Sequence, residues 1–149
     1  MLEVRPTANI EDIKTVLSHP VIWDSIASDG APPPEDFDWR IYAGWLPIGG
    51  YVDGKTVAIM LYHGFRDGDK LHIHVLPEYR DEYAREFAEK ALKYGQYPLY
   101  ADIPDIYPNV QRFAESFGFS EIEKMNSGRT KNGKAYQTTR YKRVTPWAQ

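Results

Sequence analysis

The sequence predicts an α/β fold built on a mixed sheet, and three observations carry that prediction. Residues 72–94, HIHVLPEYRDEYAREFAEKALKY, pass from a period-two strand into a helix of period 3.6 through a short Pro-Glu-Tyr-Arg turn. Asp53-Gly54 and Lys131-Asn132-Gly133 sit between runs of β-branched and aromatic residues, the signature of tight hairpins. Two further helical stripes, one early and one late, separate the strands. Hairpins combined with strand-helix-strand passages give a sheet that is mixed rather than purely parallel.

The elements follow in order. Leu2 to Arg5 is a short strand stopped by Pro6, and Thr7 or Asn9 then caps a helix carrying Ile10, Ile13, Val16 and Leu17. His19-Pro20 breaks that helix, and Val21 to Ala27 forms a second. SDGAPPPEDFD, with three consecutive prolines and the acidic residues Glu35, Asp36 and Asp38, is an extended loop. Two antiparallel strands occupy Trp39 to Gly64 around Asp53-Gly54, and Asp67-Gly68 turns the chain into the next strand. There Leu71, Ile73 and Val75 alternate with His72 and His74, so one face is core and the other presents two imidazoles.

In the central helix Ala84, Phe87, Ala88, Ala91 and Leu92 form one apolar stripe, with Glu86–Lys90 and Glu89–Lys93 as i, i+4 pairs outside it. Gly95 ends it, Leu99 to Ile103 is a strand, and Val110, Phe113, Ala114 and Phe117 mark a last helix closed by Gly118. Phe119 to Asn126 and Tyr136 to Lys142 complete the chain as a hairpin.

At 149 residues this reads as one domain, residues 1–149, long enough to bury about two-thirds of its unfolded surface. The absence of cysteine excludes a disulfide framework and a thiolate nucleophile, and fits a reducing cytoplasm. Four scattered histidines argue against a zinc centre, so no metal is expected. The start, MLEVRPTANIEDI, lacks a signal-peptide apolar run, and no stretch approaches the ~20 residues that span a bilayer, so the expectation is a soluble cytoplasmic protein with no membrane partner. Net charge is −3, yet from Lys124 onward the chain carries seven cations and no Asp or Glu. Such a basic end either attracts an acidic partner or a phosphate-rich ligand, or is a solvated hairpin. With no recognised nucleic-acid module and a negative net charge, nucleic acid is not an expected partner.

The order β-α-α-β-β-β-α-β-α-β-β, with RPTANIEDI at the start, V-x-P-x-x-R before the central helix and a late helix ending FAESFGF, resembles the GNAT superfamily of acyl-CoA-dependent N-acyltransferases over nearly the whole chain. The resemblance implies a mostly antiparallel central sheet with helices on both faces, and acetyl-CoA or another acyl-CoA as cofactor. In that family a turn of pattern R/Q-x-x-G-x-G/A wraps the cofactor's pyrophosphate with backbone N–H groups. The resemblance therefore points to Val75, Leu76, Arg80, Asp81, Glu82, Tyr83, Ala84 and Arg85 as cofactor-binding positions. Val75, Pro77 and Arg80 match, while both glycine positions hold bulky residues, Tyr83 and Arg85. A glycine there lets backbone approach phosphate without a Cβ, so Tyr83 either blocks the approach or turns outward as helix surface. Asp81 and Glu82 add negative charge that Arg80 and Arg85 offset in part.

A second family signature, N-x-x-A-x-x-x-Y-x-x-x-G-F, supplies a tyrosine acid beside the departing thiolate. Here its tyrosine position is Ala114 and its asparagine position is Tyr107, with Asn109 displaced by two, so the resemblance adds Asn109 to the candidate cofactor-binding residues. Tyr107 or Tyr100 is left as a substitute donor, and Ala114 reads as core packing. LSHPVIWDSIASDG, HIHVLPEYR and Pro-x-Val-x-x-Phe-Ala-x-x-x-Gly-Phe from Pro108 look like a GNAT-like group of unknown function encoded by tailed bacteriophages and associated with virion or head-assembly genes. That likeness implies eroded motifs, a location in the host cytoplasm or the virion, and an alternative role as a non-catalytic binder of a protein partner in assembly or host takeover.

Beside the resemblance stand the residues themselves. An imidazole with its ordinary pKa near 6.5 suits a general base for an amine, which makes His72 and His74 catalytic candidates; the competing reading is that both are half-exposed sheet residues. His63 lies on the neighbouring strand. Trp23, Trp39, Tyr42 and Trp45 either line a groove for a substrate or partner or hold the long loop down. An amine substrate or a protein partner, and a monomer or dimer, all fit the sequence.

Overall fold

The computed structural model describes residues 1–146. It contains seven strands, β1 (Leu2–Pro6), β2 (Leu46–Val52), β3 (Lys55–Phe65), β4 (Gly68–Val75), β5 (Leu99–Pro104), β6 (Ser120–Lys131) and β7 (Lys134–Arg143). Four α-helices accompany them, α1 (Ile10–Leu17), α2 (Pro20–Ile26), α3 (Arg80–Ala91) and α4 (Pro108–Ser116). The hydrogen-bonded strand order is β1-β2-β3-β4-β5-β7-β6, a mixed and mostly antiparallel sheet, as the sequence predicts. The chain divides into two compact units, residues 1–27, 31–63 and 71–95 in the first and residues 28–30, 64–70 and 96 onward in the second.

In the first unit the caps and turns are set locally. Asn9 caps α1 by accepting from Glu11 N at 2.9 Å, and Thr7 Oγ1 accepts from Asn9 N, so both predicted capping residues take part. Pro20 is the first residue of α2, where its missing N–H costs nothing, and His19 Nδ1 accepts from Val21 N. Asp53 and Gly54 both take positive φ, 50° and 77°, as a tight two-residue hairpin demands. Trp39 to Tyr42, expected within a strand, is a 3-10 turn capped by Asp38, and β2 begins only at Leu46.

Period two along β3 explains how this unit buries both faces. Ile59 and Leu61 join Ile13, Val16, Leu17 and Ile22 of the first two helices in one cluster, against which Ile26, Trp39, Tyr42, Trp45 and Leu76 pack. On the other face Tyr62 donates its hydroxyl to Ala91 O of α3 at 2.8 Å, and Phe87 lies against Gly50. Phe87, Ala88, Ala91 and Leu92 are buried as the stripe predicts, whereas Ala84 is half-buried. After Ala91 the helix tightens into a 3-10 turn, Leu92–Tyr94, before Gly95.

In the second unit β5 pairs antiparallel with β7, and β7 with β6. β4 pairs with β5 in parallel through Asp69↔Leu99 and Lys70↔Tyr100. The turn before β4 is shifted by one residue from its Asp-Gly signal: Arg66 takes the positive φ, 52°, and Gly68 opens the strand. Gly68 is needed because a Cβ there would run into Pro98 O. Gly118, at φ 85°, closes α4 as predicted, with Gly118 N donating to Glu115 O and Phe119 N to Ala114 O. β6 extends five residues beyond the predicted Asn126, to Lys131.

Several cations of the basic end are spent internally. Asp102 accepts both arms of Arg140, at 2.8 and 3.0 Å, and Lys70 Nζ at 2.8 Å. Lys124 reaches Asp105, Lys142 lies over the Tyr100 ring, and Arg143 donates to Thr145 O and Pro146 O. Arg140, with a side chain only 11% exposed, is structural rather than available to an outside anion.

Candidate active site

The candidate site in the first unit starts at the end of β4. Val75 is buried, its carbonyl accepts from Arg80 Nε at 2.9 Å, and Leu76 N donates to Val57 O at 2.9 Å. A 3-10 turn, Pro77–Tyr79, follows and leads directly into α3, with Tyr79 N donating to Leu76 O and Arg80 N to Pro77 O. The strand is thus delivered to a helix N-terminus by a turn whose leading amides are already paired. The amides of the first helical turn, from Asp81 on, come next, and the Tyr79 side chain does not cap them.

Side chains around this terminus have opposing effects on an anion. Glu78, Asp81 and Glu82 are exposed, and Glu78 lies 3.8 Å from His19. Arg80 is bound back to the strand, and Arg85 is exposed. Tyr83 is half-buried with its ring 6.4 Å from that of Tyr79. A hydrogen bond with Glu82, then burial, then the charges of Glu82, Asp53 and Glu86, raise its phenol above the usual value. Its surroundings therefore include Asp53 of the β2–β3 turn. The first-turn amides of α3 offer donors to an anion; the carboxylates around them oppose one.

On the α1–α2 face of the sheet, β3 and β4 bring three histidines together with an indole. His63 Nε2 and His72 Nε2 face each other at 3.4 Å, and their rings are nearly parallel, 17° apart. Trp45 stacks on both, with centroids 4.2 Å from His63 and 5.4 Å from His72. His74 follows on the same side of β4, and burial, then the charges of His72 and Arg80, push its imidazole down to about 3. His74 is consequently neutral near neutral pH. His63, His72 and His74 are each half-buried, on the side of the sheet that also receives Leu76.

The loop aromatics continue from this stack. Trp45 meets Tyr42 edge-on at 4.9 Å, Tyr42 lies 6.2 Å from Trp39, and Trp39 and Phe37 meet at 4.9 Å, with Trp23 5.2 Å from Phe37. Burial pushes the Tyr42 phenol up. A cavity of about 520 Å³ lies beside this ladder, between Lys14 and Ser18 on one side and Pro34, Glu35, Phe37 and Trp39 on the other. The rings pack on one another along the proline-rich loop, and of the four aromatics singled out in the sequence only Trp39 lines this cavity.

Tyr107 and Asn109 belong to the second unit. Tyr107 is half-buried at the N-cap of α4, and Asn109, exposed on its first turn, accepts from Arg112. Tyr100 is buried, and its hydroxyl donates to Asp67 at 2.6 Å, so it is committed to a structural bond. Ala114 is half-buried, and none of the residues of α4 is fully buried. Sequence reasoning placed His63 only as a neighbour and did not connect it to Trp45; the β3–β4 hairpin was the signal that brings the two strands side by side. Among the described residues no group of three or more His, Asp or Glu side chains is arranged to hold a metal ion, and no helix is long and apolar enough to cross a membrane.

This fold is that of the GNAT N-acetyltransferases. A spermidine N-acetyltransferase from Vibrio cholerae, solved with CoA and spermine, superimposes with a TM-score of 0.77 at 14% identity, covering 96% of this chain and 95% of that one. The ribosomal-protein-S18-alanine N-acetyltransferase of Escherichia coli gives 0.73 at 16% identity, over 100% and 97% of the two chains. A GNAT superfamily phosphinothricin acetyltransferase from Sinorhizobium meliloti, in complex with AcCoA, gives 0.71 at 17% identity, over 96% and 88%. No protein-family model matches the sequence. No curated protein matches it either.

Proposed function

We propose that the chain is an acyl-CoA-dependent N-acyltransferase whose hold on the cofactor is weaker than that of a glycine-bearing turn. The observation that supports this most is the passage from Val75 to Arg80, which retains a strand-to-helix turn at the α3 N-terminus within a fold shared with enzymes solved bound to CoA or AcCoA. The amides from Asp81 to Arg85 would hold the diphosphate, with the exposed Arg85 as a cation on the same helix. Acyl-CoA, when bound, supplies an acyl group activated as a thioester. The amine that receives it must first lose a proton, and His72 is the group to take it, because His74 is held neutral by burial and is too weakly basic. Val75 and Leu76 act as positioning residues, one anchoring Arg80 and the other fixing the strand end on Val57.

A second reading is favoured by the exposed carboxylates Glu78, Asp81 and Glu82 around the same terminus: a non-catalytic, phage-encoded GNAT-fold protein that binds a protein partner in virion assembly or host takeover. Under either reading it acts in the cytoplasm, the host's if phage-encoded, as a monomer or dimer. Isothermal calorimetry with acetyl-CoA separates the two. Saturable binding that is weakened by Arg85→Glu supports the enzyme, and no heat at millimolar ligand sinks it.

A further inference from the structure

We propose that Asn132-Gly133, at the tip of the β6–β7 hairpin, is a site of spontaneous covalent modification, where the asparagine loses ammonia and becomes aspartate or isoaspartate, and that the Asp29 carboxylate is the latch that sets its rate. Neither part depends on acyl transfer.

The chemistry needs an asparagine followed by a residue whose amide nitrogen can reach its side chain. Gly133 N attacks Cγ of Asn132: the N–Cγ bond forms, the Cγ–Nδ2 bond breaks, and the amide proton leaves with the ammonia. Water then opens the cyclic imide at either carbonyl, giving aspartate from one and isoaspartate, with the chain rerouted through the side chain, from the other. Of the four asparagines in the sequence, Asn132 alone precedes glycine, which presents no Cβ to hinder the attack. Asn132 is exposed, and the space beside Gly133 is open, with nothing within 4 Å of where a Cβ would stand. Asn126 on the same hairpin differs: Ser127 follows it, and its Oδ1 accepts from Gly128 N at 3.0 Å.

The nitrogen that must attack is already engaged. Gly133 N donates to Asp29 Oδ2 at 2.8 Å, Asn132 N donates to Oδ1 at 3.0 Å, and Thr130 Oγ1 donates to Oδ2 at 2.8 Å. Asp29 N in turn donates to Thr130 O at 3.0 Å, so backbone and side chain both fasten residue 29 to the hairpin, within one compact unit. To close the imide ring Gly133 N must turn toward Asn132 Cγ, which breaks its bond to the carboxylate. The attacking form is the amide anion, and a carboxylate beside it opposes that charge. The bond from Gly133, then those from Thr130 and Asn132, hold the Asp29 carboxyl below its ordinary value, with Lys131 adding to the effect, so the latch is ionised and closed at neutral pH. Both products carry a new carboxylate at position 132, beside that of Asp29, and isoaspartate also lengthens the backbone by a methylene within a two-residue turn. Each loosens the hold of the hairpin on Asp29, so the modification opens the latch in one direction only.

The test is mass spectrometry of the peptide bearing Asn132, taken from the intact folded protein aged at mildly alkaline pH and from Asp29→Ala treated alike. The expected result in the parent is a slow mass gain of about 1 Da at Asn132, with aspartate and isoaspartate separated by chromatography and Asn126 unchanged. Asp29→Ala should deamidate about tenfold faster, the factor that follows from losing a charged hydrogen bond to the attacking amide. Asn132→Asp, which carries the charge of the product, should speed hydrogen exchange at Asp29 N and Gly133 N. Equal or slower deamidation in Asp29→Ala overturns the latch, the slower outcome making Asp29 a base for the attack. An Asn132 that stays intact in both proteins, or modification of Asn126 in its place, overturns the site. If Asp29→Ala does not fold, the parent decides by itself: Asn132 should react more slowly in the folded protein than in urea, and equal rates overturn the protection.

Discussion

Replacing Gly50 by alanine tests how α3, and with it the candidate turn, is seated on the sheet. Phe87 is fully buried, and a Cβ built at Gly50 would stand 2.7 Å from its Cδ1, 2.9 Å from its Cε1 and 3.1 Å from the Ala58 Cβ. Carbon atoms rest at about 3.5–4.0 Å, so the ring must retreat by about 1 Å within an interior packed as densely as an organic crystal. Overpacking of this kind costs about 1–3 kcal/mol, which for a chain of this length lowers Tm by about 2–4 °C per kcal/mol. Urea unfolding followed by tryptophan fluorescence, together with calorimetric Tm, gives the value. Phe87→Leu alone should also destabilise, but in the Gly50→Ala background its shorter side chain removes the clash, so the double variant should be more stable than the sum of the two losses. A Gly50→Ala protein within about 0.5 kcal/mol of the parent, or strict additivity in the double variant, would refute the packing argument.

Other outcomes follow from single bonds and charges. Tyr62→Phe removes the hydroxyl that satisfies Ala91 O at the end of α3 and should cost about 0.5–1.5 kcal/mol in the same unfolding assay; no measurable change would mean that water replaces it. Because His74 is pushed down from 6.5 to about 3 in the folded chain, the unfolded chain binds the extra proton between those values. Stability therefore declines as pH falls through that window, by about 1.4 kcal/mol per pH unit, and His74→Gln should flatten the decline; an unchanged acid limb contradicts the burial of the ring. At Asp12 burial raises the carboxyl, but hydrogen bonds from Tyr51, Thr7 and Thr56 outweigh it and hold the group below its ordinary value. That contribution is present above pH ~4 and lost below it, so Asp12→Asn should lose the corresponding part of the acid transition. Asp29 accepts from Thr130 Oγ1 and from the amides of Asn132 and Gly133, so Asp29→Ala should speed hydrogen exchange at those two amides, and equal exchange rates would show the contact to be unimportant.

The elements that depend on neighbours in sequence were legible. The α3 stripe, the Asn9 cap, the Asp53-Gly54 and Asn132-Gly133 turns and the Gly118 stop rest on interactions spanning one to four residues, and they lie where the pattern places them. Local signals failed where a distant contact took over. Asp67-Gly68 looked like the turn, yet Gly68 is required against Pro98, thirty residues on, and the turn moved to Arg66-Asp67. Trp39 to Tyr42 has strand-like composition but is held as a 3-10 turn by the ladder of rings around it.

The candidate site divides in the same way. Sequence alone determined that a strand ends at a helix N-terminus without glycines, that His72 and His74 share a side of that strand, and that position 114 of the late helix is an alanine. Only the tertiary structure decided that β7 lies between β5 and β6, that Arg80 folds back on Val75 and Tyr83 has the β2–β3 turn for a neighbour, and that His63 meets His72 beneath Trp45. The physical reason is range. Helix periodicity, capping and tight turns are set within a few bonds of the backbone, whereas strand order, the protonation of a buried imidazole and the partner of a guanidinium depend on which remote groups the fold sets beside them.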